Sequence, residues 1–436
     1  MRFFLSFFLF PISVICFSQT KKNRNECDAS KRPVIFVHGF LGSGDNWAKQ
    51  IQRFSSNGYC EERMFVFDWN SISRSKLTDS LLNNFIDDVL KKTKATQVDL
   101  VGHSAGGGLC YSYLNDSIHA KKVAHYVHIG SGKMKTAAGK NAEVPTMNIY
   151  STADMIVKGG GEISGATNVQ QTTADHFQVA TSEETFLSLY KFFNNNNQPT
   201  TTKITSSKQN DISIGGKGVT LGENNSLSFD SVIAYSFNPA TGKRIKNKQH
   251  PATNSIRGWM RFSKEGNWAL EVPSKTFTEF EVRPSKGRSV FYFFEPQVRV
   301  NKNMYLRAFP NAGMMAGVLN QLPKDATQTV LVIFTSNQAV IAGRDTLAID
   351  SIPISTTAIA PASKTMISVF IFDDGDGVSS KLPMKTFGAL PFLGSMDLKI
   401  PADANGTMRI FFNGRSMVLP RKPASEGVMI VVFDAP

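Results

Sequence analysis

A serine held between glycines, an aspartate just past a strand and a histidine in a late loop stand in an order that can cleave esters. Gly102-His103-Ser104-Ala105-Gly106 follows the apolar run 98–101 and precedes a helix-like stretch, 107–114. Glycines on both sides let the backbone turn sharply enough to lift Ser104 Oγ off a sheet edge. The new helix then points its free amides at any oxyanion formed there. The pentapeptide alone is weak evidence, because glycine and serine are common. A serine nucleophile also needs a base to take its proton, an acid to orient that base, and donors for the oxyanion.

With 7 histidines the search for the base is short. His38 precedes Ser104, His103 lies inside the turn, His119 sits in a polar turn, His125 and His128 fall within a strand-like run, and His250 belongs to a later β-rich half. His176 alone lies in a loop downstream of the serine and just before a helix. For the acid, Asp154 follows the strand-like run 145–150 and the turn Ser151-Thr152-Ala153, where a carboxylate emerges at the same sheet edge as Ser104. Asp175 adjoins His176, but neighbours in an extended loop point apart, so Asp154 is the preferred acid. His38-Gly39-Phe40-Leu41-Gly42 ends the apolar run 34–37. That turn aims the Phe40 amide across the cleft at the amide of Ala105, giving two oxyanion donors.

These residues need a scaffold, and the chain spells one. Strand candidates 33–37, 64–67, 98–101, 123–129 and 145–150 are separated by helix-like segments 46–54, 81–92 and 107–114, a doubly wound α/β layout with a mostly parallel sheet. A last helix over 183–193 opens on the capping-box spelling Thr181-Ser182-Glu183-Glu184. The catalytic domain therefore spans 20–194, and the polar tract 195–206 reads as a linker. Beyond it short β-rich runs recur between turn residues, at 231–237, 290–294, 330–334, 367–372, 408–412 and 428–433. They predict an all-β sandwich or barrel region, divided into a β-sandwich module over 207–284 and a second β-rich module over 285–436 that can serve lipid binding. The aromatic run Phe291-Tyr292-Phe293-Phe294 reads as a strand buried on both faces rather than a lipid-contacting patch. Between Gly130 and Pro145 the chain is too short for a large helical cap, so the β-rich half is expected to roof the site.

A chain of 436 residues exceeds what one hydrophobic core serves, and 41% hydrophobic with 19% charged residues is ordinary for folded protein. At the N-terminus Arg2 precedes the uncharged run 3–17 and then Ser18-Gln19, so residues 1–19 read as a secretory signal and the protein as secreted or periplasmic. Export opens the question of a disulfide. Cys27 and Cys60 both lie in polar, loop-like sequence and can pair or not, while Cys110 reads as a buried thiol. The net charge of +13 is scattered, and no basic stretch alternates with aromatics, which disfavours nucleic acid and leaves an anionic lipid or glycan surface open. Asp373-Asp374-Gly375-Asp376-Gly377 has the look of a calcium loop, yet the twelfth position counted from Asp373 is Met384, where an EF-hand needs glutamate. A solvated turn is expected there, with no metal and no cofactor.

At the catalytic segments the sequence resembles a known family. Residues 34–39 with Phe40, 98–104, 149–157 and 165–170 look like the small bacterial lipases typified by those of Bacillus, a likeness over about 33–193. It implies a compact α/β-hydrolase core in which Phe40 and Ala105 supply the oxyanion amides. Ala105 stands where those lipases carry methionine, and they lack the long C-terminal half. The two-part layout is similar to lipases in which a hydrolase core precedes a β-rich lipid-binding domain. The expected activity is thus an exported serine carboxylic ester hydrolase, a lipase acting on acylglycerol or other fatty-acyl esters. The alternatives are an exported esterase or polyesterase, or a glycan- or surface-binding protein with a vestigial hydrolase core.

Overall fold

The computed structural model describes residues 27–158, 160–227, 229–251, 267–284, 288–307 and 315–434. The signal-peptide expectation for 1–19 lies outside them. In the N-terminal half the strands are β1 (Val34–Val37), β2 (Met64–Phe67), β3 (Val98–His103), β4 (Val123–Ile129), β5 (Thr146–Ser151) and β6 (Thr167–Gln171). They form one sheet in the order β2-β1-β3-β4-β5-β6, and every pairing is parallel. The helices are α1 (Ala48–Ser56), α2 (Lys76–Thr93), α3 (Ala105–Leu114), α4 (Ser117–Ala120), α5 (Gln178–Thr181) and α6 (Glu183–Phe193).

Alternation along the buried strands explains why helices cover both faces. Val34 and Phe36 pack with Trp47, Phe54 and Phe186 under α1 and α6. Ile35 and Val37 face Leu82, Ile86 and Leu109 under α2 and α3. The doubly wound layout expected from the sequence is present, with β6 as an additional edge strand. Its Thr167-Asn168-Val169-Gln170 side chains are half-buried or exposed, so it carries no apolar run by which to be found. Cys27 and Cys60 form a disulfide, and Cys110 is a buried free thiol.

The C-terminal half contributes β7 (Asp211–Val219), β8 (Phe229–Asn238), β9 (Lys243–Pro251), β10 (Asn267–Pro273), β11 (Thr278–Pro284), β12 (Ser289–Phe294), β13 (Leu306–Arg307), β14 (Leu331–Thr335), β15 (Leu347–Ile349), β16 (Ile352–Pro353), β17 (Ser368–Phe372), β18 (Leu393–Asp397), β19 (Asp403–Phe412), β20 (Arg415–Arg421) and β21 (Gly427–Phe433). An 8-stranded sheet, β18-β17-β14-β21-β12-β11-β8-β9, is the middle layer between the 3-stranded sheet β10-β7-β13 and the 4-stranded sheet β16-β15-β19-β20. Two short helices, α7 (Ala316–Leu319) and α8 (Lys385–Gly388), interrupt this otherwise β-rich region.

The expected boundary between modules 207–284 and 285–436 does not separate two bodies. β11 and β12 are hydrogen-bonded neighbours flanking it, and the middle sheet takes strands from both sides. Turn spacing marks hairpins as readily as domain junctions, and here it marked a hairpin. The aromatic run sits on β12, with Phe291 and Phe293 in one core and Tyr292 and Phe294 in the other, as expected of a strand buried on both faces. The tract 195–206 is not a free tether either. Thr200 and Thr201 bond to Asn57, and Thr202 to Glu183, which fastens it along the first domain.

Candidate active site

Ser104 follows β3 as the residue that caps α3, at φ 53° and ψ −123°, a backbone region that side-chain-bearing residues avoid. The neighbouring glycines permit it. A Cβ on Gly106 would lie 2.4 Å from the His38 carbonyl oxygen, and one on Gly39 would lie 2.8 Å from Ser104 Cβ. The close approach brings the start of α3 against the exit of β1, and with it the loop of Phe40 against the amide of Ala105. Among the described residues neither the Phe40 nor the Ala105 amide has a hydrogen-bond partner.

Ser104 Oγ donates to His176 Nε2 at 3.0 Å, and His176 Nδ1–H donates to Asp154 Oδ2 at 2.7 Å. An ionised carboxylate only accepts, so this bond sets the tautomer and leaves Nε2 free to take the serine proton. Asp154 Oδ1 accepts from the amides of Ile156 and Val157 at 2.8 and 3.0 Å. Burial raises its pKa, but the bonds from His176 and these amides outweigh that and hold it below the ordinary carboxylate value. Ser151 Oγ, at the end of β5, donates to the Ala174 carbonyl at 2.6 Å and ties the histidine loop to the strand that carries the acid.

Asp175 faces away. Its Oδ1 accepts from the Phe177 and Gln178 amides, and its Oδ2 from the Ala339 amide and Arg344 of the C-terminal half. It fastens the loop that presents His176 without touching the imidazole. His103 Nε2–H donates to the His176 carbonyl at 2.8 Å, with the rings 4.7 Å apart. His38 accepts the Trp69 amide and is further held by Asn224, which also donates to the Gly42 carbonyl and so pins the Phe40 loop from the C-terminal half.

The ring of Phe392 lies 5.8 Å from that of His176 at an interplanar angle of 1°. Nothing in the sequence announces Phe392, Asn224 or Arg344 as neighbours of the site. Each arrives from far along the chain, by way of the sheet packing that follows the first domain. The β-rich half thus does cover one side of the site, as the missing cap led us to expect. Phe40 and Met155 remain 36% and 38% exposed at the rim.

Burial drives the His103 ring down to about 3, and it also lowers His38 and His128 from 6.5. Below pH 6.5 the unfolded chain therefore binds protons that these folded imidazoles refuse, so stability falls with pH until the folded values are reached. His103 alone should contribute about 1.4 kcal/mol per pH unit between pH 6 and pH 4. Tm measured across that range should drop steadily, and His103→Gln, which keeps a donor for His176, should flatten the slope by that amount. An unchanged slope would show that His103 titrates normally.

Residues 32–214 match the family described as alpha/beta hydrolase fold, and residues 303–434 match a family described as a C-terminal domain. Among curated proteins, the monoglyceride lipase of Saccharomyces cerevisiae is 32% identical over 114 residues, 23% of this chain and 35% of that protein. The non-heme chloroperoxidase CPO-A1 of Kitasatospora aureofaciens is 28% identical over 127 residues, 27% of this chain and 38% of that protein. The chain thus spans little more than a third of the length of either relative. Among solved structures, the mature Bacillus licheniformis lipase BlEst2 aligns at 16% identity and TM-score 0.31, covering 39% of this chain and 94% of that one. Aspergillus fumigatus lipase B aligns at 16% identity and TM-score 0.31, covering 41% and 56%. The first half of the chain has the α/β-hydrolase fold.

Proposed function

We propose that this chain hydrolyses carboxylic esters through an acyl-enzyme on Ser104, with acylglycerols and other fatty-acyl esters as its substrates. The observation that carries the reading is the hydrogen-bonded relay from Ser104 through His176 to Asp154. As Ser104 Oγ attacks the ester carbonyl, His176 Nε2 takes its proton and the carbonyl electron pair moves onto an oxygen held by the Phe40 and Ala105 amides. Collapse expels the alcohol, which receives the proton from His176. A water then gives its proton to the same nitrogen, attacks the acyl carbonyl, and releases the fatty acid and the serine. Asp154 steadies the imidazolium in both halves.

The preference for long chains rests on a cavity that meets the relay through Phe392, whose ring lies on His176. Leu41 and Phe392 line an apolar cavity between the first domain and the middle sheet, with Phe294, Val332, Phe370 and Ile430. A methylene taken from water into such a space contributes about 0.8 kcal/mol, so each buried carbon should multiply kcat/KM about fourfold. A nitrophenyl ester series from butyrate to palmitate, with an emulsified triglyceride, tests this. A rising profile is the expected result. A profile that falls beyond butyrate would make the enzyme an esterase for short, soluble esters.

Export is part of the same proposal. The Cys27–Cys60 bond ties the start of the described chain to the loop before β2, and such bonds persist in oxidising compartments. A glycan- or surface-binding protein with a vestigial core has no use for an intact relay. It would be favoured if Ser104→Ala preserved the biological role.

A further inference from the structure

Independently of the ester-hydrolase reading, we propose that Asp373, Asp374 and Asp397 bind a calcium ion. One carboxylate oxygen from each lies within 4.8 Å of the others. Asp373 and Asp374 follow β17, and Asp397 ends its parallel neighbour β18, paired with Phe372. The third carboxylate thus comes from a second strand, not from the twelfth position of a loop. That is why the sequence around Asp373 spells no complete calcium motif.

Proximity of acidic groups alone would prove little, but two of these are buried. Asp373 and Asp397 are each 4% exposed. Every other buried aspartate or glutamate among the described residues has an arginine, lysine or histidine nitrogen at 3.4 Å or less, from Asp99 with Arg32 to Asp434 with Lys49. Among the described residues no ion pair reaches Asp373, Asp374 or Asp397. The ammonium of Lys399 lies beside Gly377 yet pairs with none of them. Nor are their oxygens all satisfied by amides. Asp397 accepts from the Asp374 and Ser380 amides, and Asp373 Oδ2 from the Gly377 amide, but the buried Asp373 Oδ1 has no partner.

An unpaired buried carboxylate costs several kcal/mol, and two at one place repel each other as well. A divalent cation resolves both at once. Three oxygens from carboxylates suit a hard ion, and the exposed side left by Asp374 admits the waters or carbonyls that complete calcium's 6–8 ligands. The smaller magnesium ion demands a regular octahedron that a site built from two strand ends does not offer. The ion would sit where the excursion 373–392 leaves β17 and where the parallel β18, entered at Leu393, ends. That excursion carries α8, whose Phe387 packs on Phe370, and Phe392, whose ring lies on His176.

The full chain, stripped with chelator, should bind calcium at one ion per chain by titration calorimetry, and saturating calcium should raise Tm by roughly 3 °C or more, magnesium by much less. Asp374→Asn, an exposed change that leaves folding intact, should weaken binding about tenfold. Asp373→Asn with Asp397→Asn should abolish both heat and Tm shift. Absence of calcium heat and of any Tm shift up to about 10 mM in the wild type would overturn the proposal. So would undiminished binding in the double variant, which would place the ion elsewhere.

Discussion

Ser104→Ala is expected to lower kcat/KM on nitrophenyl esters by at least about 10³ while leaving Tm within a degree or so of wild type. The hydroxyl makes one bond, to His176, and alanine fits the same turn with no new clash. His176→Ala should cost as much in turnover for a different reason and with a different side effect. Asp154 has its side chain 2% exposed, and its Oδ2 would lose the only partner the relay gives it. Stranding a buried carboxylate typically costs about 3 kcal/mol or more, so this variant should also melt well below wild type. The pair of measurements separates chemistry from folding. Full activity in Ser104→Ala would end the acyl-enzyme reading, and a stable but inactive His176→Ala would mean that Asp154 is not ionised.

Both halves of that argument were open to sequence reading because Ser104, Asp154 and His176 each sit within a few residues of a strand end or helix start. Local spelling fixes such places: Gly102 and Gly106 around the turn, Ser151-Thr152-Ala153 after β5, the capping box ahead of α6. Local spelling also placed the strands of the first domain, since each is apolar on both faces and bounded by polar turns. It missed β6, whose exposed edge needs no apolar run, and it began the second helix several residues late. α2 opens at Lys76 behind a Ser75–Thr78 capping box that the apolar periodicity does not reach.

What stayed illegible depends on contacts between distant segments. Phe392 on His176, Asn224 on the Phe40 loop and Arg344 on Asp175 join residues more than 150 positions apart, and no spacing rule carries such a pairing. The same holds for Asp397, which completes a cluster begun at Asp373. The middle sheet shows the limit for architecture. Runs such as Val330 to Phe334 identify strands, but the order β14-β21-β12 is set by parallel pairings between β12, β14 and β21, and the hairpin signals in the sequence say nothing of them.

Asp154→Asn is the second large effect expected, a loss of roughly 10² to 10⁴ in kcat with KM little changed. An asparagine can present either its oxygen or its amide to His176 Nδ1. Where the amide donates, Nδ1 must accept, and Nε2 then carries the proton and cannot take one from Ser104. Where the oxygen accepts, the tautomer survives but the imidazolium formed during attack has no charge beside it. Raising pH should not restore the rate, because the defect is not a shifted titration. Asp175→Asn is the control that makes the test specific, since it adjoins His176 in sequence but bonds to Ala339, Arg344 and the start of α5. Its expected signature is a lowered Tm, from the loss of an ion pair between the two halves, with kcat near wild type at temperatures where both proteins are folded. Burial already raises the Asp175 pKa against the pull of Arg344, so the neutral side chain is the smaller perturbation of the two. If Asp175→Asn abolished turnover in a folded protein while Asp154→Asn did not, the acid of the relay would have been assigned to the wrong strand end, and the 2.7 Å bond from His176 to Asp154 would be structural.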